Sequence, residues 1–487
     1  MPCNHFQTSA TRRDFLRTSA CGFGSLAFAA LAAQLNAAES DSTERAPAGR
    51  APGANERISV DGRVLGTHFA PRAKRIIFLF MWGGPSHVDL FDPKPKLNEL
   101  AGKPLSGKSV GSDRDQLGTL LGTPFKFAQH GESGVWMSEL FPHLARQADR
   151  LCVVRSLHTE GMAHGEALLR LHTGNANLVR PSVGAWVSYG LGSENASLPA
   201  FITISPPRGH GGVQNYGSAF LPTMHQGMAI GAAETPIAKA VVSNLGNSRL
   251  SPREQSEQLA LIQSLNKRHL EAAGADRQVE GLIANYELAY RMQSTMPAIM
   301  SLNDESKATL DLYGIGAEPT DNFGRQCLLA RKFAEQGVRY IQVSTNYTWD
   351  HHQKVKEGSI GEAAKVDRPL AGLLDDLARR GLLEDTLVLW GAEFGRTPMV
   401  ENGDGRGHHP QAFTMWMAGG GVRGGLTYGA TDDFGYHPVE KPVHMHDLHA
   451  TLLHALGLDH KRLTFRHAGR DFRLTDIHGN VVSELFA

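Results

Sequence analysis

The alternation of apolar and polar segments along the chain predicts a sheet of buried strands connected by helices. The first continuous apolar run is Arg75-Ile-Ile-Phe-Leu-Phe-Met-Trp82, and two glycines follow it. A strand of a parallel sheet has this pattern because helices cover both of its faces. Similar runs predict further strands at 151–154, 201–204, 338–343, 386–390 and 413–417.

Helical periodicity and capping residues lie between these runs. Ser251-Pro-Arg-Glu254 has the residues of a capping box, with proline at the first helical position. The patterns predict helices at 138–148, 251–272, 276–293, 322–336, 369–380 and 446–456. Strands that alternate with helices favour a doubly wound α/β sandwich. Residues 250–295 are predicted to form a helical hairpin inserted into it.

The first 38 residues are predicted to be a twin-arginine signal peptide. Arg12 and Arg13 precede an apolar run of small residues, from Cys21 to Ala33, that is too short to span a bilayer. An N-terminal amphipathic helix is the alternative. The signal predicts the twin-arginine export machinery as a partner, and a periplasmic or other extracytoplasmic location in a bacterium.

Composition sets the remaining boundaries. Residues 39–72 are rich in Ala, Pro, Gly, Arg and Ser and are predicted to be a linker, which leaves 73–487 as the main domain.

The 49 basic and 49 acidic residues give a formal net charge of zero, which argues against nucleic-acid binding. No later run is long and apolar enough to predict a membrane span in the mature chain. Cys152 and Cys327 lie in apolar stretches and are predicted to be buried free thiols.

Polar side chains follow four of the predicted strands, and a fifth polar loop is nearby. Ligands bind outside the carboxyl ends of the strands in an open parallel sheet, so these side chains are expected to converge. A mixed set of imidazoles and carboxylates favours Zn, Mn or Fe over Ca or Mg, and two such divalent metal ions could hold a water against phosphorus or sulfur. The side chains concerned are Asp89, His158, Thr159, His164, Asp350, His352, Glu393, Arg396 and His408.

Each of these signals also has a structural interpretation. Asp89 could cap a turn, and the segment 350–352 could be a surface turn. Glu393 could form a structural ion pair with Arg396. The remaining histidines could pack in the core or line a loop.

Several motifs occur in order along the chain. They are Met81-Trp-Gly-Gly-Pro-Ser-His-Val-Asp89, Trp349-Asp-His-His352, Trp390-Gly-Ala-Glu-Phe-Gly-Arg-Thr-Pro398 and Gly405-Arg-Gly-His408. Together they resemble an exported family known as domain of unknown function 1501. The resemblance covers nearly all of the chain from about residue 70. That family is in turn similar to the alkaline phosphatase and sulfatase superfamily. The resemblance therefore implies an α/β/α sandwich with a mostly parallel central sheet and a metal site at the strand ends.

Residue by residue, the resemblance implies a ligand set for this metal site. Asp89, or else Ser86, would stand near the ligand that follows the first strand. The other implied ligands are Asp350, His352, Glu393 and His408. The Cys-x-Pro-x-Arg context of formylglycine sulfatases is missing from the chain, so a formylglycine nucleophile is not expected.

The leading hypothesis is an exported metal-dependent hydrolase of phosphate or sulfate esters on small molecules or glycans. Thr159, or else Ser156, is the predicted nucleophile, unless a water activated by the metal attacks directly. Arg396, or else Arg155, is predicted to neutralise the tetrahedral anion, and His164 to act as general acid. The alternative hypothesis is a non-catalytic extracytoplasmic scaffold or binding protein on a degenerate sulfatase-like fold.

Overall fold

The structure of this chain is a computed structural model, and it describes residues 57–58, 64–106, 116–240, 242, 249–273 and 277–487. The predicted signal peptide and most of the predicted linker lie outside the described residues. The chain divides into two compact units, a larger one and a smaller one that contains residues 243–293. No helix among the described residues combines the length and the apolar character that crossing a bilayer requires.

The larger unit is built on a nine-stranded sheet, counted over the described residues. Its strands are β1 (Arg75–Phe80), β2 (Leu151–His158), β3 (Phe201–Ile204), β4 (Met228–Ile230), β5 (Tyr340–Ser344), β6 (Thr386–Gly391), β7 (Phe413–Ala418), β8 (Thr427–Tyr428) and β9 (Val443–His444). Their lateral order is β4-β3-β5-β1-β6-β7-β2-β8, and β9 also pairs with β2. All pairings are parallel except those of β7, which runs antiparallel to both β6 and β2.

The central strands are buried on both faces. Every residue of β1, β5, β6 and β7 is buried. Side chains of the sheet such as Phe78 pack in one core with helical side chains such as Trp186 and Leu452. Apolar strands with both faces covered are the reason for the continuous apolar runs in the sequence. The protein is an α/β/α sandwich with a mostly parallel sheet, as predicted.

The described residues form ten α-helices. They are α1 (His87–Leu90), α2 (Pro95–Glu99), α3 (His164–Thr173), α4 (Val183–Leu191), α5 (Pro252–Ala273), α6 (Arg277–Met300), α7 (Lys307–Leu312), α8 (Asp321–Glu335), α9 (Val355–Arg379) and α10 (Met445–Ala455). In the smaller unit, Gln263 of α5 donates a hydrogen bond of 2.6 Å to Glu287 of α6. Both helices were predicted; their status as an inserted hairpin stays a prediction.

Three helix predictions are wrong in their extent, and one of them is that of α6, which continues to Met300 rather than ending at 293. The helix predicted at 138–148 is instead the end of a short strand, Val135–Ser138, and a 3-10 helix, Leu144–Arg150. Pro142 lies between them, and its ring and missing N–H oppose a continuous α-helix. Helix α9 begins at Val355 rather than at Pro369, because its buried apolar face continues through the proline.

Short elements complete the chain. The two-residue to four-residue strands are Arg57–Ile58, Val64–Leu65, Pro104–Ser106, Gln116–Thr119, Phe127–His130, Val135–Ser138, Gly395–Arg396, His408–His409, Ala430–Thr431, Pro438–Glu440, Phe465–His467 and Arg470–Phe472. Further 3-10 helices are Gly212–Tyr216, Thr223–His225, Ile237–Lys239 and Ser483–Leu485. Cys152 and Cys327 are free and buried, as predicted, and burial raises the pKa of the Cys152 thiol to about 12.

The topology places the polar strand ends at one edge of the sheet. Strands β1, β3, β5 and β6 are parallel, and β2 runs in the same direction because β7 is antiparallel to both β6 and β2. The segments that follow β1, β2, β3, β5 and β6 therefore leave the sheet at the same edge.

Candidate metal centre

Four side chains converge at this edge. His164, Asp350, His352 and His408 each offer one ligand atom, and the four atoms all lie within 4.8 Å of one another. His164 begins α3, and Asp350 and His352 lie in the loop between β5 and α9. His164 is buried and the other three side chains are half-buried, so the cluster lies at the rim of the core.

The three imidazoles face a single carboxylate oxygen. Asp350 Oδ1 lies 3.2 Å from His164 Nε2, 3.0 Å from His352 Nε2 and 3.3 Å from His408 Nε2. The Nε2 atoms of His352 and His408 are 2.9 Å apart. These two nitrogens lie close to each other and to the same carboxylate oxygen. Hydrogen bonds among these three atoms cannot satisfy all of them.

A separate acceptor holds the other nitrogen of each ring. His164 Nδ1 lies 2.7 Å from Glu393 Oε1, and His352 Nδ1 lies 2.8 Å from Glu401 Oε2. His408 Nδ1 lies 2.7 Å from the carbonyl oxygen of Met162. Because an acceptor at Nδ1 requires the proton there, we assign the tautomer that leaves an Nε2 lone pair on each ring directed at the centre.

This arrangement fits a divalent metal ion. Three neutral imidazole nitrogens and one carboxylate oxygen form a donor set that suits Zn, Mn or Fe. Acceptors on the outer nitrogens are the usual second layer of such sites, where they fix the ring orientation. Four ligand atoms this close together fit one ion, and the described residues contain no second group of this kind.

Glu393 lies behind the cluster as a support for His164. Its side chain has no exposed surface, and its Oε1 accepts a hydrogen bond of 3.0 Å from the backbone N–H of Gly83. Gly83 has φ of +119°, and a Cβ at this position would lie 2.7 Å from the Asp350 nitrogen. A glycine is therefore required where the end of β1 passes the loop that carries Asp350.

Arg396 is enclosed by protein acceptors. Its side chain is 1% exposed. It donates to the carbonyl oxygens of Gly83, Gly84 and Arg406, and it also forms an ion pair with Asp350. The guanidinium therefore positions Asp350, whereas the sequence predicted that it would neutralise a substrate anion.

Asp350 is held in its charged form. Burial opposes the charge, but the contacts with His164 and His408 and the charge of Arg396 outweigh burial and hold its pKa well below the usual range. The hydroxyl of Tyr347 donates a 2.6 Å hydrogen bond to Asp350 Oδ2. Burial lowers the pKa of the His164 imidazole, but the negative charges of Glu393 and Asp350 beside it outweigh burial and raise the pKa.

Asp89 is not brought into the cluster. Arg406 binds both of its oxygens, with Nε 2.7 Å from Oδ2 and NH2 3.0 Å from Oδ1, and neither side chain has exposed surface. Ser86, the alternative candidate, donates to Oδ2 at 2.5 Å. Burial alone would raise the pKa of Asp89, but Arg406 outweighs it and the pKa is lowered. Asp89 therefore makes a buried structural ion pair.

The hydroxyls of the predicted nucleophiles form no hydrogen bond to the cluster. Thr159 is 6% exposed, and its Oγ1 has no hydrogen-bond partner within the described part of the chain. Its backbone N–H donates to the carbonyl of Pro410. Ser156 Oγ donates instead to the carbonyl of Lys441 at 2.6 Å. Neither hydroxyl contacts an imidazole or a carboxylate that would act as its base.

Three further residues of the centre were missed in the sequence. The ring of His210 stacks on that of His164 with centroids 5.3 Å apart, and Tyr347 and Glu401 contact Asp350 and His352 as described. Burial and the nearby His164 lower the pKa of His210. His210 and Tyr347 follow the predicted strands 201–204 and 338–343, so the strand-end argument that selected Asp350 would have selected them.

Comparisons with known proteins address the fold and the family. Solved structures that resemble the chain include the PsFucS1 sulfatase from Pseudoalteromonas sp., with 13% identity, TM-score 0.32 and coverage of 80% of this chain and 68% of that one. The alkaline phosphatase from the Antarctic bacterium TAB5 has 10% identity, TM-score 0.31 and coverage of 72% and 92%. The lipoteichoic acid synthase LtaP from Listeria monocytogenes has 8% identity, TM-score 0.33 and coverage of 83% and 75%.

At these low TM-scores the structural similarities do not define an activity for this chain. No curated protein shows significant sequence similarity to it. The family described as "Protein of unknown function (DUF1501)" matches residues 73–486, which is most of the chain and includes every member of the metal cluster. The chain therefore belongs to the DUF1501 family.

Proposed function

We propose that this protein is a metal-dependent hydrolase of phosphate or sulfate esters carried by small molecules or glycans. The observation that carries the proposal is the convergence of three imidazole Nε2 atoms on Asp350 Oδ1, with every outer ring nitrogen already bound to an acceptor. A divalent ion at this position would act as a Lewis acid toward an ester oxygen and lower the pKa of water.

The residues of the centre have two roles in this proposal, to bind the metal ion and to orient the ligands. His164, His352, His408 and Asp350 would hold the ion. Glu393, Glu401 and the Met162 carbonyl orient the rings, while Arg396 orients Asp350 and balances its charge. In this assignment His164 is a ligand, in place of the general acid that the sequence suggested.

The attacking group is assigned to water and not to Thr159. The Thr159 hydroxyl is buried and has no base beside it, whereas the metal centre lies at the half-exposed rim. A side-chain nucleophile needs an adjacent base or a lowered pKa. Water that reaches the rim needs only the ion and an ester held next to it.

The test combines metal analysis with turnover. The purified full chain is expected to bind one Zn, Mn or Fe ion and to hydrolyse members of a panel of aryl phosphates and aryl sulfates. His352→Ala is expected to lose both properties, while the matched control His130→Ala, on the strand Phe127–His130, retains both. Folded wild-type protein that binds none of these ions would overturn the proposal.

A non-catalytic scaffold or binding protein is the second candidate. The observation that favours it is the isolation of the Thr159 and Ser156 hydroxyls from any base. Stoichiometric metal binding without turnover of any ester in the panel would support this candidate over the hydrolase. Thr159→Ala separates the two nucleophile assignments, because activity that persists in this variant excludes Thr159 as the attacking group.

We further propose that the chain is exported by the twin-arginine machinery to the periplasm. The support is the order of features in the first 38 residues, with Arg12-Arg13 followed by the apolar run Cys21–Ala33. Expression with Arg12→Lys/Arg13→Lys is expected to retain the protein in the cytoplasm with its first 38 residues attached. Periplasmic recovery of this variant would contradict the assignment.

A further inference from the structure

A second polar cleft lies in the larger unit, beside the first turn of α10. Its volume is about 600 Å³. None of the residues of the candidate metal centre lines it. The side chains that matter for its chemistry are those of His444, Asp447, Lys461, Arg473, His478 and Asn480.

The acidic side chain of the cleft is already occupied. Asp447 Oδ2 accepts a 3.0 Å hydrogen bond from the backbone N–H of His444, and Oδ1 accepts a 2.7 Å bond from that of Asn480. His444 Nδ1 in turn accepts from the N–H of His446. The first turn of α10 is thus capped by its own chain, and the carboxylate is directed at the backbone rather than at the cleft.

Two cationic side chains of the cleft have no carboxylate partner. Within the described part of the chain, neither Lys461 nor Arg473 forms a salt bridge, while most other arginines of this unit do. Lys461 contacts Asp459 through its backbone N–H at 2.8 Å, which leaves the ammonium group unused. Arg473 donates from Nε to the carbonyl of Asp476, which leaves the two terminal nitrogens of its guanidinium available.

Two neighbouring histidines have a lowered imidazole pKa, with burial as the main cause and nearby cationic groups as a second cause. His460 is buried with Nδ1 2.9 Å from Thr475 Oγ1, and its pKa is lowered first by burial and then by Arg473. Burial, followed by the nearby His444 and His478, lowers the pKa of His446 to about 4.

We propose that this cleft binds an oxyanion, a phosphate, sulfate or carboxylate group, between Lys461 and Arg473. The guanidinium fork matches two oxygens of such a group, and the ammonium adds a compact charge. His478 and Asn480 supply further donors at the wall. The volume is in the range of small-molecule sites, about 300–1,000 Å³, and Ile477 is an exposed apolar side chain of the lining, so the oxyanion is one carried by a small organic molecule such as a sugar.

Calorimetric titration of the full chain tests this proposal. The probes are glucose 6-phosphate, glucose 6-sulfate, inorganic phosphate and uncharged glucose. We expect both charged sugars to bind, inorganic phosphate to bind more weakly, and glucose not to bind. Lys461→Gln/Arg473→Gln is expected to weaken sugar binding at least about tenfold, because two charge-assisted contacts are lost. If the double variant does not fold, Lys461→Gln alone replaces it in the test, because Lys461 is exposed. This single variant is also expected to weaken the binding of the charged sugars.

Two control variants locate the binding in this cleft. Lys307→Gln/Arg466→Gln removes the same charges outside the cleft and is expected to leave the affinity unchanged, which excludes a general charge effect. His352→Ala disrupts the candidate metal centre and is expected to retain the binding of both charged sugars to the cleft, so binding that persists in this variant does not come from the proposed hydrolase site. Binding that is lost in either control, that persists in the double variant, or that is undetectable for every anion would overturn the proposal.

Discussion

Asp350 and Asp89 follow two neighbouring strands of one sheet, and only one of them belongs to a candidate metal centre. Each contacts a buried arginine, Arg396 or Arg406. Arg406 binds both oxygens of Asp89, and this side chain has no exposed surface, so the carboxylate does not face an open site. Arg396 gives most of its donors to backbone carbonyls and touches only Oδ1 of Asp350, where three imidazoles also converge. The partners of a strand-end carboxylate, and not its position, decide whether it is available to a metal.

Burial separates the same two regions. The side chains of Asp89 and Arg406 have no exposed surface, whereas that of Asp350 is 18% exposed and that of His352 is 32% exposed. A fully desolvated ion pair is costly to break because the remaining charge is left buried and unpaired. A half-exposed cluster tolerates loss of a member and is reachable by ions and ligands. The first region is thus expected to serve stability and the second to serve binding.

The largest expected effect is on stability, from Asp89→Ala. This variant leaves Arg406 buried without its carboxylate and is expected to lower the free energy of unfolding by about 3–5 kcal/mol, measured by urea denaturation. The control Asp433→Ala removes an exposed partner of Lys96 and is expected to cost less than about 1 kcal/mol. Metal stoichiometry of the folded Asp89→Ala protein should equal that of the wild type. If Asp89→Ala lost metal binding but kept the stability of the wild type, Asp89 would belong to the metal centre and not to a structural ion pair.

The next effect is on metal affinity, from His352→Ala. Loss of a ligand is expected to weaken metal binding by more than about 100-fold, since removal of outer supports alone costs about 10–100-fold. Competition with a chelator of known affinity measures it. The metal-free variant is expected to unfold within about 1 kcal/mol of the metal-free wild type, because this side chain is partly exposed. If His352→Ala bound the metal as tightly as the control His130→Ala, His352 would not be a metal ligand.

Glu401→Gln is a milder test of the same centre. The carboxylate holds His352 Nδ1 at 2.8 Å, and its replacement by an amide is expected to weaken metal binding by about 10–100-fold while the ligand itself remains. Glu257→Gln, on the exposed surface of α5, is the matched control and should not change the affinity. Equal affinities in the two variants would show that the second layer of acceptors is not required.

The smallest effect is the acid dependence of the Asp89 pair. The folded-state pKa of Asp89 lies below its ordinary value of 3.8 because Arg406 outweighs burial. Its contribution to stability is therefore present above that value and is lost as the pH falls through the lower, folded-state pKa. Asp89→Asn, already less stable at neutral pH, should lose less further stability between pH 5 and pH 3 than the wild type. Parallel pH profiles of unfolding free energy would contradict this assignment.

Much of the fold was predictable because its strands are buried on both faces. The apolar runs at 75–82, 151–154, 201–204, 338–343, 386–390 and 413–417 all correspond to strands of the central sheet. The short strands β4, β8 and β9 contain only two or three residues each, too few for a periodic signal. The start of α9 was missed because Pro369 marks a helix start in isolation, whereas here the packing of a long apolar face extends the helix before it.

The amino-acid sequence by itself determined which polar groups meet at one edge of the sheet, because parallel strands bring their carboxyl ends together whatever the loops do. Only the tertiary structure decided which of them face a common centre. That choice depends on partners far away in the chain, such as the Met162 carbonyl that holds His408 and the Arg406 guanidinium that closes Asp89. Hydrogen bonds to backbone carbonyls and contacts across loops have no local sequence pattern, since they follow from packing.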